Sequence, residues 1–427
     1  MNYNDITKSP IFIIYIEVLF MKYISLKKIY YTDINNYKIE YKKRFEAITT
    51  KHFSIEIKQY NREKAYPAFL CYTEEIMLLV ERFYKNYFNL FKIKQQAPPI
   101  LLRQFVLSSL IDEIKSTNDI EGVHSTKKQI KDILESQPIS KDFLHLKSVV
   151  DKYSKIINNE DIYFNSCQDI RKFYDTFALD EVLTEHPDWK PDGKIFRKDP
   201  VEITSATDKV LHQGVYPEDK LIINMSIALD ILNNEEILFL IRVICFHYFF
   251  GYLHPFYDGN GRTARFIFSY YLAKEFDEIV ALRLSVIIKR YKKKYYDIFQ
   301  DTDNEYNKGD LTIFVQTFLE MLNKGLKEAI DILQKKLSQL ETYSDKLNKI
   351  IISDNITKNI YFILLQASLF FGEGATISEI MKTTKKSRGT IQQRLDNIPK
   401  SHLFINKNIK PYRYKLNMLL LKNNENL

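Results

Sequence analysis

Twelve consecutive residues, His254-Pro255-Phe256-Tyr257-Asp258-Gly259-Asn260-Gly261-Arg262-Thr263-Ala264-Arg265, constrain this chain more than any other segment. Ahead of them, residues 233 to 253 form a long apolar block. It is opened by Asn233-Asn234-Glu235-Glu236, which offer a cap and first-turn acids for a buried helix. Pro255 forbids easy continuation of that helix beyond His254, and Gly259 and Gly261 accept positive φ, so Asp258 to Gly261 is expected as a tight loop. A second helix then starts near Gly261 and runs to about Phe276. Its first amides are orphan donors at the positive end of a dipole, and with the glycine loop they make a concavity suited to phosphate. Arg262 and Arg265, three residues apart, share one face and can hold two groups of a polyphosphate. Asp258 is placed to bring in Mg2+, a hard ion that takes one or two carboxylates plus substrate phosphates. His254, titrating near neutrality, can take the proton of an attacking hydroxyl.

Competing readings are weaker. Gly259-x-Gly261-x-x-Ala264 also fits a loose dinucleotide fingerprint, but that needs a preceding strand, and Ile237 to Leu253 is too long for one. A plain helix-loop-helix turn whose arginines only form salt bridges is the bland alternative. His247, inside the apolar block, reads as a core or supporting histidine and not as a catalyst.

The stretch resembles the signature of the Fic family, His-Pro-Phe-x-Asp/Asn-Gly-Asn-Gly-Arg-x-x-Arg, at every defined position. The resemblance implies nucleotidyl transfer from ATP to a protein hydroxyl, usually AMPylation. In that scheme His254 is the general base and Asp258 the Mg2+ ligand. Gly259, Asn260 and Gly261 form the phosphate cradle, Arg262 and Arg265 meet the β- and γ-phosphates, and Phe256 anchors the loop. Gly261 stands where the phosphorylating Doc branch carries Lys. Upstream, Ser116-Thr117-Asn118-Asp119-Ile120-Glu121-Gly122 ends an expected helix from Ile100, with Gly122 suited to a left-handed cap. It resembles the family's inhibitory motif, Ser/Thr-x-x-x-Glu-Gly/Asn, with Thr117 and Glu121 at the required spacing. That implies a gate in which Glu121 pairs with Arg265 and denies it to the γ-phosphate. Lys194 to Thr204 reads as a short hairpin, and its place ahead of the signature resembles the family's flap, an edge on which an extended segment of a target protein docks by main-chain hydrogen bonds.

Only 11 glycines and 12 prolines in 427 residues indicate a mainly helical protein, and 45% apolar content is ample for large cores. Cys71, Cys167 and Cys245 are scattered without CxxC spacing, which argues against a disulfide framework or zinc site and for a reducing, cytoplasmic setting. The net charge of +8 is concentrated: Ala375 to Leu427 holds 11 Lys and Arg against 3 Asp and Glu, so the rest is formally neutral. Ile11 to Phe20 is too short to span a bilayer and poor as a signal peptide, so no membrane partner is expected. Met21 leaves open whether residues 1–20 belong to the native protein.

In chain order, residues 22 to 60 carry β-leaning, Tyr-rich pieces such as Lys38-Ile39-Glu40-Tyr41, residues 72 to 93 an amphipathic helix, and Gln95 to Pro99 a break. Trp189 reads as local packing, and Tyr295-Tyr296 as core rather than as the lining of a base pocket. Leu284 to Phe299 and Leu311 to Leu333 continue the helical core, and residues 335 to 352 form a connecting helix. The C-terminal module reads as a winged helix, with Asn359 to Phe370, Ile377 to Lys382 and a recognition helix bearing Gln392, Gln393 and Arg394. Gly372-Glu373-Gly374 forms a turn within it, and Leu403 to Ile405 with Tyr412 to Leu416 make the wing.

The expectation is a mainly α protein with four parts. These are an N-terminal region (1–96), a Fic-type catalytic core including the inhibitory helix (97–334), a connecting helix (335–354) and a winged helix (355–427). Its expected activity is a Mg-ATP-dependent protein adenylyltransferase held back by Glu121. Removal of AMP at the same site, or a nucleotide-sensing regulator acting through DNA, are the alternatives. ATP, a target protein, DNA and a second copy of the chain are the candidate partners.

Overall fold

The computed structural model describes residues 23–135, 144–204, 209–370, 374–407 and 410–422; the apolar run Ile11 to Phe20 and Gly372-Glu373 lie outside them. The chain begins with α1 (Leu26–Thr32) and α2 (Ile34–Phe45), followed by a hairpin of β1 (Thr50–Lys58) and β2 (Ala65–Cys71). Lys38 to Tyr41, expected as β structure, is therefore helical. Ser25 and Asp33 cap α1 and α2 with their side chains, and Arg44, buried near the end of α2, bonds Glu40 one turn back, which the strand geometry would not permit.

Two 23-residue helices follow, α3 (Glu74–Gln96) and α4 (Pro99–Glu121), separated only by Ala97-Pro98. Thr73 caps α3, Pro99 opens α4 where its missing N–H costs nothing, and Gly122 closes α4 at φ 81°. Next come α5 (Lys127–Leu134), α6 (Leu144–Ile157), α7 (Cys167–Phe177) and α8 (Leu179–Glu185), then β3 (Glu202–Thr204) and β4 (Val210–Gln213).

The hairpin expected over 194–204 is displaced. Only 202–204 are strand, and their antiparallel partner is 210–213. Residues 194–201 are held irregular instead, because the Glu218 carboxylate accepts the N–H groups of Lys194, Ile195 and Phe196, and Pro200 has no N–H to give a ladder.

The central pair is α10 (Phe239–Leu253) and α11 (Asn260–Glu275), preceded by α9 (Glu218–Asn233). The expected cap at 233–236 is not formed: Asn233 ends α9, and Leu238 begins α10 without a side-chain cap, since a helix buried along nearly its whole surface is held by packing. Beyond lie α12 (Glu278–Ala281), α13 (Leu284–Arg290), α14 (Lys292–Asp303) and α15 (Thr312–Ile350). Leu284 to Phe299 is thus two helices with a break at Tyr291, whereas the expected core and connecting helices near 311–352 are one. α16 (Asn355–Phe370), β5 (Ala375–Thr376), α17 (Ile377–Thr384), α18 (Arg388–Asn397), β6 (Leu403–Asn406), β7 (Arg413–Leu416) and α19 (Leu419–Lys422) complete the chain, with strand order β5-β7-β6.

One hydrophobic core runs from Phe53 on β1 to Leu333 on α15, so the packing does not break at residue 96. A second core joins Leu340, Leu347 and Ile351 to α16, α17, α18 and the small sheet, and Ile100 at the start of α4 packs on it. Among the described residues no helix is long and apolar enough to cross a membrane, and all three cysteines are buried and free.

Candidate active site

α10 ends where His254 turns left-handed, at φ 52°. The carbonyls of a helix's last turn lack intrahelical partners, and here outside donors take them. His212 Nε2 lies 2.7 Å from Tyr252 O, Val215 N donates to Leu253 O at 3.1 Å, and Arg197 Nε donates to His254 O at 2.8 Å. The loop that follows is fastened from behind. Phe256 is wholly buried and stacked on Tyr174, with ring centres 3.6 Å apart, and the Tyr174 hydroxyl donates to Asp258 O at 3.0 Å. Asn260 closes the loop on itself: its Oδ1 accepts from Phe256 N, and its Nδ2 donates to Phe256 O. Gly259, at φ 76°, packs so closely on Ala178 and Tyr174 that a Cβ would lie 3.1 Å from Ala178 Cβ.

The first intrahelical bond of α11 is Thr263 N to Gly259 O, so the amides of Asn260, Gly261 and Arg262 precede the ladder at the positive end of the dipole. The N–H of Gly259 is already taken by Asp258 Oδ1 at 2.6 Å. The other carboxylate oxygen of Asp258 lies 3.9 Å from Arg262 Nη2, and its side chain remains 40% exposed. That leaves one hard oxygen free at the cavity wall. Among the described residues no three His, Cys, Asp or Glu side chains converge on one point. A divalent ion here would take one carboxylate oxygen from the protein and the rest of its shell from phosphate and water, a donor set that fits Mg2+.

Both signature arginines are buried, and both are paired with a carboxylate. Arg265 Nη1 lies 2.7 Å from Glu121 Oε1, while its Nε and Nη2 donate to Thr117 Oγ1 and Thr117 O at 2.9 and 3.1 Å. Burial works against the charge on Arg265, and the Glu121 carboxylate together with Tyr295 and Tyr296 more than offsets it. Glu121 stands directly over the helix start: a Cβ on Gly261 would be 2.2 Å from Glu121 Oε1. Thr117, Glu121, Gly122 and Arg265, far apart in sequence, are thus brought together. Arg262 instead turns to Glu181 on α8, 2.5 Å away, and is not among the residues that line the cavity.

The cavity has a volume of about 360 Å³. It is bounded by Glu121, His254, Asp258, Gly261 and Arg265, by Val201 to Ile203 and Leu211-His212 of the β3-β4 hairpin, and by Tyr295, Tyr296 and Trp189. Tyr295 is core and lining at once, with its hydroxyl 2.8 Å from His247 Nε2. His247 is fully buried, which holds its imidazole neutral, with a pKa lowered to about 3. Trp189 stacks on His186, with ring centres 3.7 Å apart, and still reaches the cavity. His254 is likewise held neutral. Burial, followed by the nearby His212 and Arg197, pushes its pKa down to about 3.

The residues that fix this geometry and escaped the sequence reading are Tyr174, Glu181, Arg197, His212 and Asp303. None stands at a fixed offset from the signature, and an acid on an amphipathic helix or a histidine in a short strand carries no pattern of its own.

The start of α11, the neutral imidazole of His254 and the carboxylates of Asp258 and Glu121 thus share one cavity. Residues 166–272 match the family model described as the Fic/DOC family; they form a Fic/DOC family domain, of a kind whose members are commonly AMPylators or other nucleoside-monophosphate transferases. A Fic family protein from Desulfovibrio desulfuricans is similar in fold, at 19% identity over 81% of this chain and 96% of its own, with a TM-score of 0.50. A Fic domain containing signaling protein from Bacteroides thetaiotaomicron aligns at 19% identity over 61% of this chain and 97% of its own, with a TM-score of 0.44. Fic-1 from C. elegans aligns at 19% identity over 61% and 74%, with a TM-score of 0.42.

Proposed function

We propose that the chain is a protein adenylyltransferase that transfers AMP from ATP to a Ser, Thr or Tyr hydroxyl of a target protein or of itself, and that Glu121 restrains it. The observation that carries this reading is the contact of Glu121 with Arg265 above Gly261, within one cavity shared with His254 and Asp258. In it His254, neutral and therefore able to accept a proton, takes the proton of the attacking hydroxyl. The free amides at the start of α11 and the Arg265 guanidinium hold the phosphates once Glu121 has withdrawn. Arg262 supports the same region while tied to Glu181. Asp258 is the residue that would hold Mg2+, which when bound offsets charge on the phosphates. The hairpin of β3 and β4, which forms one wall of the cavity, is the surface on which an extended target segment would lie.

At the start of α11 the Glu121 carboxylate stands over Gly261 and pairs with Arg265. A polyphosphate meets repulsion there until Glu121 leaves. Incubation with labelled ATP and Mg2+ tests the reading. Glu121→Gly should raise protein-bound label at least tenfold, and adding His254→Ala to it should abolish the label. A Glu121→Gly protein that stays unlabelled together with candidate targets overturns the assignment.

For the C-terminal module a DNA-contacting role has one supporting observation. Lys385, Lys386 and Arg388 are exposed together at the entry to α18. Of the three residues expected to read bases, Gln392 bonds Asp396 and Arg394 bonds Asp354, which leaves Gln393 facing solvent.

A further inference from the structure

The end of α10 carries a second histidine whose surroundings fix its charge. His212 on β4 is buried, and its Nε2 lies 2.7 Å from Tyr252 O. A carbonyl only accepts, so Nε2 must carry a proton. On the other side of the ring, Nδ1 is 3.1 Å from Asp303 Oδ2. Oδ1 of Asp303 in turn accepts from the Tyr248 hydroxyl at 2.6 Å. Nδ1 has no aligned hydrogen-bond partner among the described residues, so a neutral ring with its proton on Nε2 would leave a buried lone pair 3.1 Å from that carboxylate. Protonation at Nδ1 removes the conflict and makes a compact, buried ion pair. The position adds to this: the ring sits at the negative end of the α10 dipole, where a cation is favoured.

We propose that His212 is a positioning residue for the transfer reaction: as an imidazolium clamped between Asp303 and the last turn of α10, it fixes the backbone that presents His254 and sets a positive charge beside that ring. The proposal rests on the reading of His254 as the base. The groups that face His212 are Asp303 from α14, which Tyr248 also bonds, Tyr252 from α10, His254 beyond its end, and Arg197 from the irregular segment before β3. Arg197 is buried, donates to His254 O, Asp199 O and Val215 O, and has no carboxylate partner among the described residues, so it acts in the same sense as His212.

The connection to His254 is short. Three consecutive carbonyls, of residues 252, 253 and 254, are taken by His212, Val215 and Arg197. Between them Gly214 runs so near that a Cβ there would lie 2.9 Å from His254 Cβ. Moving β4 therefore moves the base. The chemical benefit is that His254 stays unprotonated, and able to accept a proton, down to acid pH, because a fixed cation nearby disfavours a second one.

Nuclear magnetic resonance of the full chain labelled with 15N in histidine tests this without requiring transfer activity. In the wild type at pH 7 the His212 ring should show both nitrogens protonated, and His254 should stay neutral to below about pH 5. His212→Gln keeps an amide donor for Tyr252 O but removes the charge, and Asp303→Asn removes the counter-ion. Each should raise the His254 midpoint by about one pH unit. In the Glu121→Gly background the acid limb of labelling should move upward by the same amount, a change that a merely structural role would not produce. A neutral His212 at pH 7 in the wild type, or a His254 midpoint unmoved in both variants, overturns the proposal. If the titrations come out as expected and Glu121→Gly is nevertheless silent with ATP, the transferase reading falls and the charge arrangement stands.

Discussion

Arg262 shows how a single side chain limits what can be changed around it. Its guanidinium is nearly wholly buried, Glu181 is its close partner, and Asp258 lies farther off. Removing a partner from a buried pair leaves an uncompensated charge, so Glu181→Ala should destabilise by about 3–5 kcal/mol in urea unfolding. Glu181→Gln, which keeps the shape and an acceptor, should cost less. A loss below about 1 kcal/mol for both would show that water reaches the pair. At this scale the sequence was legible where chemistry imposes a spacing. His254, Asp258, Arg265 and Glu121 all line the cavity, and Thr117 bonds Arg265 beside it. It was not legible where a partner can come from any helix that passes nearby, as Glu181, Tyr174 and Asp303 do. Arg262, expected at a phosphate, has as its near partner the Glu181 carboxylate, which no pattern announced.

α4 reaches the cavity at its C-terminal end and meets α13 along its side. α4 ends at Gly122, whose φ of 81° suits glycine and whose absent side chain would meet nothing within 4 Å. Gly122→Ala should therefore cost about 1 kcal/mol from backbone strain alone. By loosening the last turn it should also raise basal labelling towards the Glu121→Gly level. Two turns earlier, Glu113 on α4 is fully buried and accepts Ser285 N at 2.9 Å with each oxygen, which caps the seven-residue α13. Burial pushes its pKa up to about 7, against the pull of those hydrogen bonds. Since the folded pKa exceeds the unfolded one, Glu113 contributes stability that is full below about pH 4.5 and is lost as pH rises through 7. Glu113→Gln should flatten that slope, at most about 1.4 kcal/mol per pH unit, in denaturant titrations between pH 5 and 7. Helix existence was readable from apolar periodicity and caps. The join of the expected core and connecting helices into α15 was not, because a charged face is compatible with either a linker or a continuous helix.

Over the whole molecule, charge and packing divide the labour. The neutral body holds the cavity, and the cationic excess lies in the last fifty residues. If the cluster at Lys385, Lys386 and Arg388 meets DNA, reversing all three to Glu should abolish binding in a gel shift. In the unmodified chain the affinity should fall steeply between 50 and 200 mM salt, by roughly tenfold or more. Charge reversal is a cleaner test than truncation before residue 355, which would uncover Leu340 and Leu347 on α15 and Ile351 just after it. α15 runs unbroken through residues 334 and 335 and one core runs through residue 96, since long helices bury surface on both sides of a boundary drawn in sequence. α4, which lies within 97–334, packs on both cores. Its first turn, at Ile100 and Arg103, sits in a crevice with Ile363, Ala367 and Thr383, and its last turn brings Glu121 to Arg265. Twenty-three helical residues make a strut about 34 Å long, and a tilt of about ten degrees around its midpoint swings either tip by about 3 Å. That swing exceeds the reach of a hydrogen bond, so whatever leans on the far tip has leverage over a contact it never touches.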